Sequence, residues 1–195
     1  MIISIEGNIG SGKSTVLEYI KHKEKVFQED INNWDTWIKD FYANPKKNSL
    51  GFQMRVLLSQ SYIKNNEQDI LFHERSPLTC NYIFGNILIK QENLSLSEHS
   101  LCLEFANKYC WEPKYIIYIK TEPEICQKRI LERNRPGENI DISYLNLVHQ
   151  YHEDMYNIKN KKIYIIDGDN TKENIFLNIK QIINDIKKKQ IIIYF

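Results

Sequence analysis

The segment Gly7-Asn8-Ile9-Gly10-Ser11-Gly12-Lys13-Ser14 leaves a chain few choices of fold. Its G-x-x-x-x-G-K-[ST] spacing follows the apolar run Met1-Ile2-Ile3-Ser4-Ile5 and precedes a stretch with helical periodicity. The glycines let the backbone curl so that successive N–H groups point at one anion, at the positive end of the following helix. Lys13 can then reach the outer phosphates of a triphosphate, and the Ser14 hydroxyl can ligate a divalent cation. Gly7, Asn8, Ile9, Gly10, Ser11, Gly12, Lys13, Ser14 and Thr15 are therefore the expected triphosphate cradle. Whether the phosphoryl group passes to water, to a hydroxyl or to another phosphate is left open by the loop itself.

The rest of the chain alternates short β-prone runs with helical stretches. Strands are expected at residues 1–6, 24–29, 69–74, 114–120 and 162–167. Helices are expected from the loop to about 23, at 34–43, across a face made by Leu50, Phe52, Val56, Leu57 and Tyr62, and at 79–90, 96–109, 123–132, 142–156 and 174–188. Such alternation implies an α/β fold: a five-stranded parallel sheet covered by helices in three layers, of the P-loop type. With 195 residues and no repeat or linker, one domain over 1–195 is expected, ending in a short apolar, β-prone tail at 190–195. The formal net charge of +1 argues against a nucleic-acid surface. No apolar stretch reaches the ~20 residues of a membrane span, and no apolar leader precedes the loop, so a cytoplasmic protein is expected. Cys80, Cys102, Cys110 and Cys126 show no metal-finger spacing and read as reduced packing residues.

Ligands collect at the strand ends of open α/β sheets, and there the chain is acidic and arginine-bearing. The second expected strand ends at Gln28-Glu29-Asp30 and the third at His73-Glu74-Arg75-Ser76. A carboxylate beside the phosphate loop can accept a hydroxyl proton as attack proceeds, a role open to Glu29. Glu74 is the candidate for the metal side, with Ser14, and Arg75 for holding base and reacting oxygen in line. Of 26 basic residues only five are arginine, and three of them, Arg129, Arg133 and Arg135, fall within seven positions around a Pro-Gly loop. That cluster, about 129–140, suits a lid whose guanidiniums stabilise the transferring charge.

Together these segments resemble the deoxynucleoside kinase family. SIEGNIGSGKST is similar to its first strand and loop, and Glu29-Asp30-Ile31-Asn32-Asn33-Trp34 to its E-P-V-x-x-W segment, with Asp30 in place of proline. Tyr42-Ala43-Asn44-Pro45, Gly51-Phe52-Gln53, Glu74-Arg75-Ser76, the Arg129-x-x-x-Arg133-x-Arg135 lid with Glu138, and Tyr151-His152-Glu153-Asp154 come in the family's order. The lid is one residue shorter than usual after its last arginine. The resemblance implies ATP-dependent phosphorylation of a deoxynucleoside 5′-hydroxyl with Mg²⁺, and a homodimer. It implies Glu29 as the base and Arg75 as its partner at the 5′-hydroxyl. Glu74 and Ser14 would hold the metal, and Lys13, Arg129, Arg133 and Arg135 would stabilise charge. Gln53 would pair with the nucleobase edge, Phe52 and Phe84 would flank the base, Trp34 would line the cleft, and Tyr42 and Glu138 would hold the 3′-hydroxyl.

Members that prefer deoxycytidine or purines carry an arginine and an aspartate opposite the base. The matching positions here are Gln60 and Cys80, with Val56 nearby, so the resemblance implies a neutral pocket and a pyrimidine, thymidine-accepting preference. Two other readings stay open: a nucleoside monophosphate kinase of the thymidylate kinase kind, and a non-catalytic nucleotide-binding relative.

Overall fold

The computed structural model describes residues 1–29, 31–64, 69–134, 140–156 and 162–192. Among them five strands run parallel: β1 (Ile2–Glu6), β2 (Lys25–Phe27), β3 (Leu71–Glu74), β4 (Tyr115–Lys120) and β5 (Lys162–Asp167). Their spatial order is β2-β3-β1-β4-β5. β1 lies at the centre, with Ile5 opposite Glu74 on one side and Ile117 on the other. This register brings the ends of β1 and β3 level with each other, which is where a ligand crevice belongs in such a sheet.

Alternation along the strands divides the two faces. Ile3 and Ile5 of β1 join Ile117, Ile119 and Ile166 against α1 (Lys13–Ile20) and α8 (Lys172–Ile192). Ile175, Ile179, Ile183 and Ile186 recur at helical spacing and give α8 its buried stripe. The opposite face is more polar: Ser4, Glu6 and Tyr118 are all buried there. It is covered by α7 (Ile142–Tyr156), where His152 stacks on Tyr118 at 5.5 Å, and by the segment after β3. That segment opens as a π-helical turn, Thr79–Gly85, and continues as α4 (Asn86–Lys90). The remaining helices are α2 (Asp35–Ala43), α3 (Pro45–Ser61), α5 (Leu96–Tyr109) and α6 (Pro123–Arg133). Among the described residues no helix is long and apolar enough to cross a membrane. The four cysteines form no disulfide.

Several boundaries differ from expectation. β2 stops at Phe27, so Gln28 and Glu29 have left the sheet, and the glutamate can turn toward the crevice. Asn44-Pro45 ends α2 but also begins α3: the Asn44 side chain accepts from the Lys47 N–H at 3.2 Å and Pro45 takes the first position, where its missing N–H costs nothing. Tyr62 comes after that helix and is 71% exposed, so it does not belong to the buried face. The expected β-prone tail at 190–195 is corrected as far as Ile192, because α8 continues to that residue; 193–195 lie outside the described residues.

Ile117 is fully buried on the face of β4 that packs against α1 and α8. Its replacement by alanine removes three methyl-sized groups from a packed core, and Ile117→Ala is expected to lower unfolding free energy by about 2–5 kcal/mol in a urea titration.

Candidate active site

Gly7, Gly10 and Gly12 all hold φ in the left-handed half of conformational space, at 147°, 81° and 104°. A Cβ on Gly7 would lie 2.7 Å from the Ile119 carbonyl and one on Gly10 2.6 Å from that of Cys126, so the loop lies directly on β4 and α6. Asn8 fastens it from within, accepting from the Ile9 N–H at 2.8 Å and donating to the Leu145 carbonyl of α7 at 2.9 Å. Ile9 packs beside Cys126, Ile130 and Leu145. Thr121 Oγ1 donates to the Ser11 carbonyl at 3.1 Å. Lys13 is buried, and its ammonium donates to the loop's own carbonyls, Gly7 at 3.2 Å and Asn8 at 2.8 Å. Burial, reinforced by the nearby Arg75 cation, brings its pKa down to about 8 against the pull of Glu74, Glu29 and Glu6. Ser14 and Thr15 stand exposed at the start of α1.

Across the crevice, Ser14 Oγ donates to Glu74 Oε1 at 3.0 Å. The next residue, Arg75, is the hinge of the site. Its backbone sits at φ 54°, a left-handed conformation that costs a side-chain-bearing residue free energy. Its N–H is held by the Ile5 carbonyl at 3.0 Å, which fixes it relative to β1. The guanidinium pairs with the Glu29 carboxylate and lies 5.4 Å over the Phe84 ring. Both charged side chains are largely buried, at 13% and 9% exposure. Burial raises the Glu29 pKa above the ordinary carboxylate value, and Glu74 and Glu6 add to that, while Arg75 and Lys13 pull the other way. Ser14 and Glu74 offer two hard oxygen donors side by side. Among the described residues no group of three or more His, Cys, Asp or Glu is placed to hold a metal. Such a sparse oxygen set fits Mg²⁺, which takes one or two protein ligands and fills its shell with water and phosphate oxygens.

Beyond the ion pair, side chains of α3, of the π-helical turn and of the segment through α2 meet in a largely aromatic group. Trp34 is buried and meets Phe52 edge-on at 6.4 Å, and Phe52 stacks on Phe41 at 5.2 Å. Phe84 packs with the Ile83, Ile87 and Val148 cluster. Gln53 is buried, and its Oε1 accepts from the Cys80 thiol at 2.7 Å. Burial raises the Cys80 pKa strongly, so the thiol remains neutral and donating. Val56 is half-buried against Leu57 and Cys80. Gln60 is buried two turns from Gln53, and its Oε1 is taken by the Trp111 indole N–H at 3.0 Å. Tyr42 is 61% exposed, its ring 5.4 Å from Phe41.

The profile of the deoxynucleoside kinase family matches residues 3–192. This chain belongs to the deoxynucleoside kinases. A protein of Invertebrate iridescent virus 3 whose name calls it a kinase is 33% identical over 88% of this chain and 90% of its own length. A fowlpox virus protein named a probable deoxycytidine kinase is 30% identical over 94% of the chain and 88% of its own. Deoxycytidine kinase 2 of Gallus gallus is 26% identical over 95% and 88%. The chain is accordingly an enzyme that phosphorylates nucleosides.

In this kinase the expected lid residues part company. Arg129 is half-buried, and its guanidinium bridges two loops, donating from Nη1 to the Ser11 carbonyl at 3.1 Å and from Nη2 to the Gly168 carbonyl at 2.9 Å. Arg133 is exposed at the end of α6, and Arg135 and Glu138 lie outside the described residues. Three residues of the kinase were not expected from sequence. Glu6, fully buried before the loop, accepts from Thr79 Oγ1 at 2.6 Å; its signal was an acid closing an apolar strand. Thr121 braces Ser11, and Gly168 leaves no room for a Cβ, which would fall 1.9 Å from Thr121 Oγ1. A lone glycine after the last strand was the only mark of that contact.

Lys13 attracts phosphate only when protonated. Because its pKa is lowered to about 8, triphosphate affinity of the free kinase should weaken as pH rises past that value. Calorimetric titration between pH 6.5 and 9.5 checks this, and Lys13→Met is expected to lose both the affinity and its pH dependence.

Proposed function

We propose that this kinase transfers the γ-phosphoryl group of ATP to the 5′-hydroxyl of a deoxynucleoside, with a preference for pyrimidines that includes thymidine. The observation that supports the reading most is the Glu29–Arg75 pair, buried beside Lys13 and the Ser14–Glu74 contact. A phosphate acceptor would call for further cations in the cleft; a hydroxyl acceptor calls for a base, and a carboxylate with a raised pKa suits one. In this reading Glu29 takes the 5′-hydroxyl proton while the oxygen forms its bond to the γ-phosphorus and the bond to the β–γ bridging oxygen breaks. Arg75, held by its strained backbone, orients both the carboxylate and the attacking oxygen. Lys13 leaves the carbonyls of Gly7 and Asn8 for the phosphates. Arg129 acts through Ser11, and Arg133 and Arg135 approach the transferring charge from the lid. Ser14 and Glu74 would hold Mg²⁺, which supplies neutralisation of the phosphate charge when bound.

For the nucleoside, Gln53 would read the base edge between Phe52 and Phe84, Trp34 would close the cleft wall, and Tyr42 and Glu138 would take the 3′-hydroxyl. The pair opposite the base is a thiol and an amide, Cys80 and Gln60, with Val56 beside them. A neutral pocket has no charge to repel the thymine carbonyl and no aspartate to favour an amino group, which supports a pyrimidine range wider than deoxycytidine. The same reading takes the chain as one cytoplasmic domain acting on small molecules without nucleic acid or membrane. It takes the active form as a homodimer, for which the exposed Tyr82, Leu101 and Tyr109 offer apolar surface.

Incubation with Mg-ATP and a panel of nucleosides and monophosphates tests the reaction. Deoxynucleoside monophosphate from thymidine and deoxycytidine is the expected product; diphosphate formed only from thymidine monophosphate would overturn the hydroxyl acceptor. Glu29→Gln is expected to reduce kcat by roughly 10²–10⁴. Since the base must be ionised and its pKa is raised, the acid limb of the kcat/KM profile should sit above the ordinary carboxylate range and vanish in that variant. Cys80→Asp should move the thymidine-to-deoxycytidine ratio of kcat/KM toward deoxycytidine, and an unmoved ratio would sink the pocket assignment.

A further inference from the structure

The π-helical turn Thr79–Gly85 carries both Cys80 and Phe84, and side chains of β1 and α5 hold it at two points. At its first residue, Thr79 Oγ1 donates to Glu6 Oε2 at 2.6 Å, both groups fully buried. Two residues on, the Asn81 carbonyl meets His99 Nε2 of α5 at 3.0 Å, a contact that requires the proton on that nitrogen. The His99 ring also occupies the space beside Gly85, where a Cβ would fall 2.7 Å from Nε2. Within the turn, Asn81 Nδ2 donates back to the Pro77 carbonyl at 3.2 Å and Asn86 Nδ2 to that of Tyr82 at 2.8 Å. A wide turn has poorer backbone bonding than an α-helix and persists where its surroundings determine it. Removing one residue from a helical turn rotates the downstream residues by about 100°, so relaxation to α geometry would change the relation of Cys80 to Gln53 and of Phe84 to the Arg75 guanidinium.

We propose that Glu6 and His99 are positioning residues for nucleoside selectivity, clamping the π-helical turn from the sheet and from α5 so that Cys80 and Phe84 face Gln53 together. The proposal rests on the assignment of Cys80 and Phe84 to the base pocket. It also gives a use to a carboxyl that adjoins the phosphate loop yet points away from it toward the turn. Neither residue touches substrate or phosphate in this scheme; both act through backbone they hold.

The test compares Thr79→Val, which keeps volume and loses the hydroxyl, with Thr79→Ser, which keeps it. His99→Phe serves as an independent lesion at the other hold, and Cys80→Asp as the control for the pocket. Steady-state kinetics with thymidine and deoxycytidine, and the Tm shift produced by each nucleoside and by ATP, are the readouts. Thr79→Val and His99→Phe should each raise nucleoside KM by about tenfold and change the thymidine-to-deoxycytidine ratio, with KM for ATP moved by less than about twofold. Thr79→Ser should restore the wild-type values. Lower Tm with unchanged nucleoside KM and ratio would reduce both residues to structural packing and overturn the proposal. If Thr79→Val does not fold, His99→Phe decides alone on the same criteria. A shift in the clamp variants with none in Cys80→Asp would support the clamp and refute the base contact of Cys80; the reverse pattern would refute the clamp and leave the pocket standing.

Discussion

An arginine and a glutamate hold each other inside this protein at the mouth of the phosphate loop, and much of the architecture serves to bring them there. Neither charge is cheap to bury, and their attraction offsets the lost hydration only with good geometry and further neighbours. Arg75 has Glu74 and Glu6 close enough to keep it charged in spite of burial. Glu29 arrives from the edge strand paired with β3, and it can do so because β2 is three residues long and releases the chain early. The adjacency of β2, β3 and β1 thus puts acid, arginine and loop within one crevice. Losing one partner would strand the other at a cost of about 3–5 kcal/mol.

The order and kind of the elements were legible because the periodicities were strong. All five strands appear where apolar β-prone runs stood, and α7 and β5 keep their expected limits, 142–156 and 162–167. The errors have a common origin in signals that admit two meanings. Asn44-Pro45 ends one helix and caps the next, and the isoleucines near the C-terminus suit a strand, whereas the backbone of α8 runs on to Ile192. The turn of the glycine loop was readable because its signal is local: Gly7, Gly10 and Gly12 hold positive φ where their spacing placed them.

The cleft was less legible, for a physical reason. Gln53 and Cys80 are 27 residues apart, and their hydrogen bond exists only because α3 packs on the turn after β3. No propensity marks a π-helical turn, which differs from an α-helix by one residue and is stabilised by distant partners. Glu6 was hidden in plain view beside the most recognisable motif in the chain. Its carboxyl belongs to the opposite face of β1, and a reading of the motif alone has no reason to look there. Arg129 shows the converse: its type and position were expected, yet it reaches backbone carbonyls of Ser11 and Gly168 and so ties the loop to the end of β5.

The Lys13 ammonium, lodged on the carbonyls of Gly7 and Asn8, gives its loop a resident cation. In the proposed reaction an arriving phosphate would compete with two peptide dipoles for a charge already present. The glycines have met their conformational cost during folding, and the ammonium has shed much of its water. The proposed encounter would then need the displacement of one side chain from those carbonyls. In that reaction such a loop would act as a loaded catch, the same carbonyls taking the lysine back as the product departs.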